Sequence, residues 1–352
     1  MNYRVLLTGY NILGYLRNQS KESGISLIKF SSLNNSNFEV QENFSGKTRN
    51  NTLLVTCPDG AGNICQYFIK QCPSWEESFY FTFNTERFFF DTFTTNPVEG
   101  AFLLPKRLCI DSSLLVTVFV FDNESKSLYN FLLQTASNKP RAFKFSQILA
   151  KNLRAWHQYF LQKDNDSVLA KFDKSIPFPL NIDNNLINVA SYHGDENKKD
   201  FLAFLQESPD LIKSLGALRK SWLERPQTLL HGDLKPSNIL ISTSSSEAAP
   251  ILTLIDWEMA LVGDPLWDIA SFVASLILMK FKPLMVVLIQ QECDECIEQL
   301  LTHYFNNSIS IYEKELIFKY AGAILLQHLW VNPSECTSDL FKQVADFLTL
   351  SL

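Results

Sequence analysis

The stretch Leu229–Ala270 reads LLHGDLKPSNILIS (229–242), then TSSSEAAP (243–250), then ILTLIDWEMALVGDPLWDIA (251–270). Two apolar runs, Ile239–Ile241 and Ile251–Ile255, flank a Ser- and Ala-rich turn, which is the pattern of a β-hairpin. His231, Asp233 and Asn238 precede the first strand, and Asp256 follows the second. A hairpin returns its two ends to one another, so the pattern predicts that Asp233, Asn238 and Asp256 converge. Two carboxylates and an amide oxygen are hard oxygen donors, the type that Mg²⁺ takes alongside substrate phosphates. Asp233 then serves to accept a hydroxyl proton while Asn238 and Asp256 hold metal, a constellation for phosphoryl transfer. A second His-Gly-Asp, at 193–195, lies among charged residues and leads into no apolar strand. It reads as a surface loop.

The rest of the chain sets bounds on that reading. At 352 residues it is long enough for two lobes, and 46% hydrophobic with 19% charged residues is a globular composition. A net charge of −6 lacks the basic footprint of a nucleic-acid binder. The charge is uneven: residues 257–352 hold 12 acidic and 5 basic residues, a net of −7, while residues 1–256 are close to neutral. An acidic C-terminal quarter suits a cationic acceptor, and it equally suits a solvated acidic helix surface.

Seven cysteines lie scattered without a disulfide spacing, and Cys293-Asp-Glu-Cys296 has no second pair. That C-x-x-C falls in a helical pattern and reads as two small residues on a helix. Free thiols fit a reducing cytosol, so the expected location is cytoplasmic. The N-terminus has no compact apolar core of a signal peptide. The most apolar segment, Ile269–Ile289, is broken by Lys280, Lys282 and Pro283, which predicts two buried helices rather than a membrane span.

In chain order, helical spacing over 1–30 gives way to a strand-rich region from Phe38: NFEVQENF, the turn SGKTRNN, TLLVTC, the turn PDGAGN and ICQYFIKQ. These predict an antiparallel meander. Residues 74–93 predict a helix over at least their second half, and 101–121 predict two more strands. FSQILAKNLRAWHQYFL (145–161) spaces Ile148, Leu149, Leu153, Trp156 and Phe160 along one helical face. Residues 161–210 read as an Asn- and Asp-rich variable region, and from Ala270 onward the pattern is helical.

HGDLKPSN followed by IDWE and GDPLWDIA resembles the aminoglycoside phosphotransferase/choline kinase-like superfamily, the kinase-like small-molecule phosphotransferases. The resemblance implies an α+β, bilobal protein-kinase-like fold, with an antiparallel-sheet N-lobe over 1–121 and a mainly helical C-lobe over 122–352. It implies an ATP-dependent phosphotransferase, with GTP as the alternative donor, that acts on a hydroxyl of a small-molecule acceptor with Mg²⁺. Asp233 falls at the catalytic base, Asn238 and Asp256 at the metal ligands, and Asp268 at the brace of the HGD loop, with His231 packed beneath it. Lys235, two residues after Asp233, is expected to reach the γ-phosphate, against a plain solvent-facing role.

The same resemblance places a Lys that pairs with the α- and β-phosphates at the end of the third strand, at Lys70. Strand alternation sets Ile64, Gln66, Phe68 and Lys70 on one face. A strand-end Lys reaching solvent is the plain alternative. Glu86, ahead of Phe88–Phe90 and Phe93, fits its helix partner, with Glu76 and Glu77 as rivals. Ser45 and Gly46 fall in the turn that would cover the phosphates, although a single glycine makes it thin. Phe119–Asn123, with Phe121 in the middle, falls at the hinge beside adenine. His157 sits where the family's "LARLH" helix has its His and is expected to be a hydrogen-bonded core residue. A protein kinase is disfavoured, because HGD and IDW stand for HRD and DFG and no APE follows. A choline- or ethanolamine-type kinase and a non-catalytic nucleotide-binding pseudokinase remain the alternatives.

Overall fold

A computed structural model describes residues 5–22, 38–42, 50–58, 64–73, 77–93, 98–121, 125–134, 139–162, 165–182, 199–242, 250–281, 287–332 and 337–350. The chain divides into two compact units. The first comprises Met1–Pro97, Leu103–Lys126 and Leu240–Glu258; the second comprises Val98–Phe102, Ser127–Ile239 and Met259–Leu352.

The first unit is built on a five-stranded antiparallel sheet of β1 (Glu39–Glu42), β2 (Asn51–Pro58), β3 (Ile64–Gln71), β4 (Arg107–Asp111) and β5 (Val116–Phe121), in the order β1-β2-β3-β5-β4. Alternation sorts its side chains onto two faces. Leu53, Val55, Cys57, Tyr67, Ile69, Val116 and Val118 point into one core, which helix α1 (Ile12–Glu22) closes with Ile12 and Leu16. Lys70 lies on the other face and pairs across the strands with Thr52 and Thr117, all three buried. Helix α2 (Glu77–Phe93) belongs to the same unit and carries buried Phe83, Glu86, Phe89, Phe90 and Phe93.

A short β6 (Lys126–Ser127) marks the passage to the second unit, whose helices are α3 (Leu128–Gln134), α4 (Lys139–Leu161), α5 (Asp166–Leu169), α6 (Lys199–Gln206) and α7 (Pro209–Glu224). Strand β7 (Thr228–Leu230) leads into the HGD segment, and β8 (Ile239–Ser242) leaves it. Strand β9 (Ile251–Leu254) is the hydrogen-bonded neighbour of β8, the hairpin expected from the two apolar runs. Strand β10 (Leu261–Gly263) pairs antiparallel with β7, Val262 facing Leu229. Four helices complete the chain: α8 (Leu266–Lys280), α9 (Val287–Tyr304), α10 (Ile311–Val331) and α11 (Ser338–Leu348).

Helix α8 is the axis of the second unit, because every residue from Leu266 to Ala274 is buried. A helix apolar on all sides needs neighbours on all sides, and α10 and α9 both pack on it. Trp222 of α7, Trp267 of α8 and Tyr320 of α10 meet edge to face at centroid distances of 5.5–6.3 Å. The apolar segment expected to form two helices does so as α8 and α9, and no described helix is long and apolar enough to cross a membrane.

Candidate active site

In the first unit the third strand delivers Lys70 into a nest of carboxylates. Its Nζ lies 3.1 Å from Glu86 Oε1 and 2.8 Å from Glu258 Oε2, and it donates a short hydrogen bond to Asp256 Oδ1. Lys70 is 6% exposed, so the solvent-facing alternative does not hold. Burial alone would lower its ammonium, but Asp256, Glu86 and Glu258 hold it well above the ordinary lysine range. Burial pushes the Glu86 carboxyl up to about 7, and the Lys70 charge pulls the other way. Helix α2 is locked in place by Phe89, whose ring stacks on Trp257 at 3.8 Å. That ring pair joins the helix of Glu86 to the segment Asp256–Glu258. Asp256 itself adopts φ +68°, a left-handed conformation that a non-glycine residue holds only where its surroundings enforce it.

The second unit holds the HGD loop. Asp268, in the first turn of α8, accepts the backbone N–H of His231 at 2.9 Å and of Gly232 at 3.0 Å. His157 of α4 adds a third contact, Nε2 to Asp268 Oδ2 at 3.3 Å, while its Nδ1 meets the Tyr304 hydroxyl at 2.8 Å. A His157 carrying its proton on Nε2 satisfies both, donating to Asp268 and accepting from Tyr304. Burial would raise the Asp268 carboxyl, but the His157 hydrogen bond and the loop N–H groups prevail and hold it below the ordinary carboxylate value. His231 is fully buried, and its Nδ1 accepts the backbone N–H of Asp233 at 3.2 Å. Gly232 takes φ +82°.

Asp233 and Asn238 meet within this unit. Asn238 Nδ2 donates to the Asp233 carbonyl at 3.0 Å and lies 3.3 Å from its Oδ2. The amide nitrogen is thereby turned to Asp233, and Oδ1 accepts the Ser237 hydroxyl at 3.4 Å. Lys235 Nζ sits 2.6 Å from Asp233 Oδ2, so the cation expected at the γ-phosphate pairs here with the expected base. Asn238 of the second unit and Asp256 of the first each carry a side-chain oxygen of the hard type that Mg²⁺ takes. Among the described residues no group of three His, Cys, Asp or Glu has metal-holding geometry.

Phe121 ends β5 and is partly buried. Ser45, Gly46, Glu76 and Asn123, together with the second His-Gly-Asp at 193–195, lie outside the described residues. Glu77 begins α2. Cys293 and Cys296 are buried in α9, and burial pushes their thiols up to about 12 and about 11, which keeps them protonated.

Three residues of the two clusters went unmarked in the sequence. Glu258 meets Lys70; Asn50 donates to Glu258 Oε2 at 2.7 Å; Gly232 approaches the backbone of Met259. Only Glu258 carried a signal, as the acid two positions after Asp256 in IDWE. Further back, Asp264 fixes the start of α8: it accepts the Leu266 N–H at 3.0 Å, pairs with Arg225 at 2.7 Å and accepts from the Tyr320 hydroxyl at 3.1 Å.

Residues 128–302 match the sequence model of the phosphotransferase enzyme family. The fold is similar to choline kinase LicA from Streptococcus pneumoniae, with 16% identity, 95% of this chain and 99% of that chain covered, and a TM-score of 0.51. It is also similar to aminoglycoside 2'-phosphotransferase-IIIa in its GDP complex, with 13% identity, coverage of 94% and 97%, and a TM-score of 0.53. The protein thus has the α+β, antiparallel-sheet fold of the kinase-like phosphotransferases. Over residues 128–302 its sequence is that of the phosphotransferase enzyme family, and it shares its fold with a choline kinase and an aminoglycoside phosphotransferase. Methylthioribose kinase 2 from Oryza sativa subsp. japonica is 34% identical over 79 residues, which are 22% of this chain; the chain spans 17% of that relative's length.

Proposed function

We propose that this protein transfers the γ-phosphate of ATP, or of GTP, to a hydroxyl of a small-molecule acceptor. The observation that carries the reading is the HGD loop itself. Asp268 clamps two consecutive backbone N–H groups, and that clamp presents Asp233 beside Asn238 on a rigid support. A base that must meet a hydroxyl at hydrogen-bond distance needs such pre-organisation.

The roles follow from the chemistry of each group. Lys70, oriented by Glu86, takes the α- and β-phosphates. Asn238 and Asp256 offer oxygen donors to Mg²⁺, which when bound neutralises charge on the β- and γ-phosphates. Asp233 orients the acceptor hydroxyl and receives its proton. Lys235, whose Nζ pairs with Asp233 Oδ2, is assigned to the γ-phosphate. His231 and Asp268 support the loop. Ser45, Gly46 and Phe121 are assigned to covering the phosphates and lining the adenine side by the superfamily pattern. Residues 1–121 and 122–352 would be the two lobes of that pattern.

A cationic acceptor, as in a choline- or ethanolamine-type kinase, is the second reading, favoured by the net charge of −7 over residues 257–352. The test is ADP release with Mg·ATP across aminoglycosides, macrolides, choline, ethanolamine, methylthioribose, sugars and a generic protein, run beside Asp233→Asn. An acceptor-dependent signal lost in the variant supports the assignment and names the acceptor class. Turnover retained in Asp233→Asn would sink Asp233 as the base. ATP binding without turnover on any acceptor would favour the pseudokinase.

A further inference from the structure

Lys70 faces more negative charge than a phosphate-binding lysine needs. One ammonium meets three carboxylates: Glu86, Asp256 and Glu258. Glu86 is the helix partner that orients it, and Asp256 is assigned to metal. Glu258 has no place in that scheme, yet it is aimed with care. Its Oε2 sits 2.8 Å from Lys70 Nζ and accepts from Asn50 Nδ2 at 2.7 Å. Asn50 is held in turn, its Oδ1 receiving the Cys72 thiol at 3.3 Å. The Glu258 side chain is 12% exposed, so its charge is poorly screened.

We infer that Glu258 makes nucleotide binding depend on metal, by occupying Lys70 until a divalent cation arrives. A metal-free nucleoside diphosphate brings further negative charge to a group already surrounded by three carboxylates. It must displace Glu258 from Lys70 and then lie beside it, which like-charge repulsion opposes. A metal-bound nucleotide brings its own cation, which takes up Asp256 and offsets Glu258, so Lys70 is released to the phosphates. Glu258 is thus a specificity-determining residue that selects the metal-bound form of the nucleotide. The inference rests on the phosphotransferase reading above, and its consequence is separable from turnover.

The test is calorimetric titration of the whole chain with ADP, once in EDTA and once in saturating Mg²⁺, for the wild type, Glu258→Gln and Asn50→Ala. Thermal unfolding of each protein confirms that it is folded. Glu258→Gln keeps the shape and the hydrogen bond to Asn50 but removes the charge. Metal-free ADP should then bind about tenfold tighter or more, while Mg·ADP changes far less, so the metal dependence of affinity collapses. Asn50→Ala, which keeps the charge but releases its aim, should move metal-free ADP in the same direction by less. Unchanged metal-free ADP affinity in Glu258→Gln would overturn the inference alone. So would weakened Mg·ADP binding with metal-free ADP unaltered, which would make Glu258 a metal ligand instead. Wild-type protein that binds ADP in neither buffer would overturn the phosphotransferase reading itself, and this inference with it.

Discussion

A Cβ placed on Gly232 would lie 2.1 Å from the carbonyl oxygen of Met259. The obstacle is backbone rather than a flexible side chain, and Leu261 closes the other side at 2.6 Å. The glycine of HGD therefore does two things: it adopts φ +82°, and it lets the loop lie directly against the strand that follows IDWE. Gly232→Ala should cost well over the ~1–2 kcal/mol of the left-handed backbone alone, because the loop must also retreat from Met259. Urea unfolding should show the loss, and ADP release should fall with it. Wild-type stability in this variant would mean that the loop has room it does not show.

Lys70 meets three carboxylates, so its removal is worse than the loss of one ion pair. Lys70→Ala should destabilise the protein by about 3–5 kcal/mol, the usual cost of leaving buried charge uncompensated. Glu86→Gln should cost less, because Asp256 and Glu258 still hold the ammonium. Chemical denaturation of the two variants side by side checks the order. Equal losses would show that Glu86 alone carries the interaction.

Asp268 gives a pH signature. Its carboxyl is held below the ordinary value of 3.8, so the folded state prefers it ionised. The stability it contributes is fully present above that ordinary value and is lost as pH falls through the lower, folded value. Asp268→Asn removes this contribution and weakens two hydrogen bonds to the loop, at a cost of about 2–4 kcal/mol at neutral pH. The gap in stability between wild type and variant should therefore narrow below about pH 4. A gap that stays constant with pH would mean that the carboxylate's charge is not what holds the loop.

Trp257 is fully buried and stacks on Phe89. Trp257→Ala should cost about 3–5 kcal/mol and free α2, the helix of Glu86, from its anchor. Trp257→Phe, which keeps a ring on Phe89, should retain most of the stability. Nucleotide affinity that survives Trp257→Ala in folded protein would show that Lys70 and Glu86 do not depend on this stack.

The sequence carried much of this on short-range pattern. The hairpin of β8 and β9 was legible because two apolar runs flank turn residues, and the strands of the first unit because apolar residues alternate between turns. The resemblance to the kinase-like phosphotransferases named Lys70 and Glu86 as partners, the apolar runs beside them marked their positions, and the structure sets them 3.1 Å apart. Glu86 was separated from its rivals by the aromatic run behind it, whose Phe89, Phe90 and Phe93 are buried.

What the sequence by itself determined, then, was which residue types stand at fixed short spacings, and so which segments are strands and helices. What only the tertiary structure decided are pairings between residues far apart in the chain. Asn50 and Glu258 are separated by 208 positions, Lys70 and Asp256 by 186, and no local periodicity links them. Gly232 reads as a loop glycine until the Met259 carbonyl is placed against it. Asp264 reads as part of GDPLWD until Arg225 and Tyr320 close on it. Spacing along the chain fixes direction within one element, but the neighbours of a buried charge are set by how whole elements pack. A carboxylate's role depends on those neighbours.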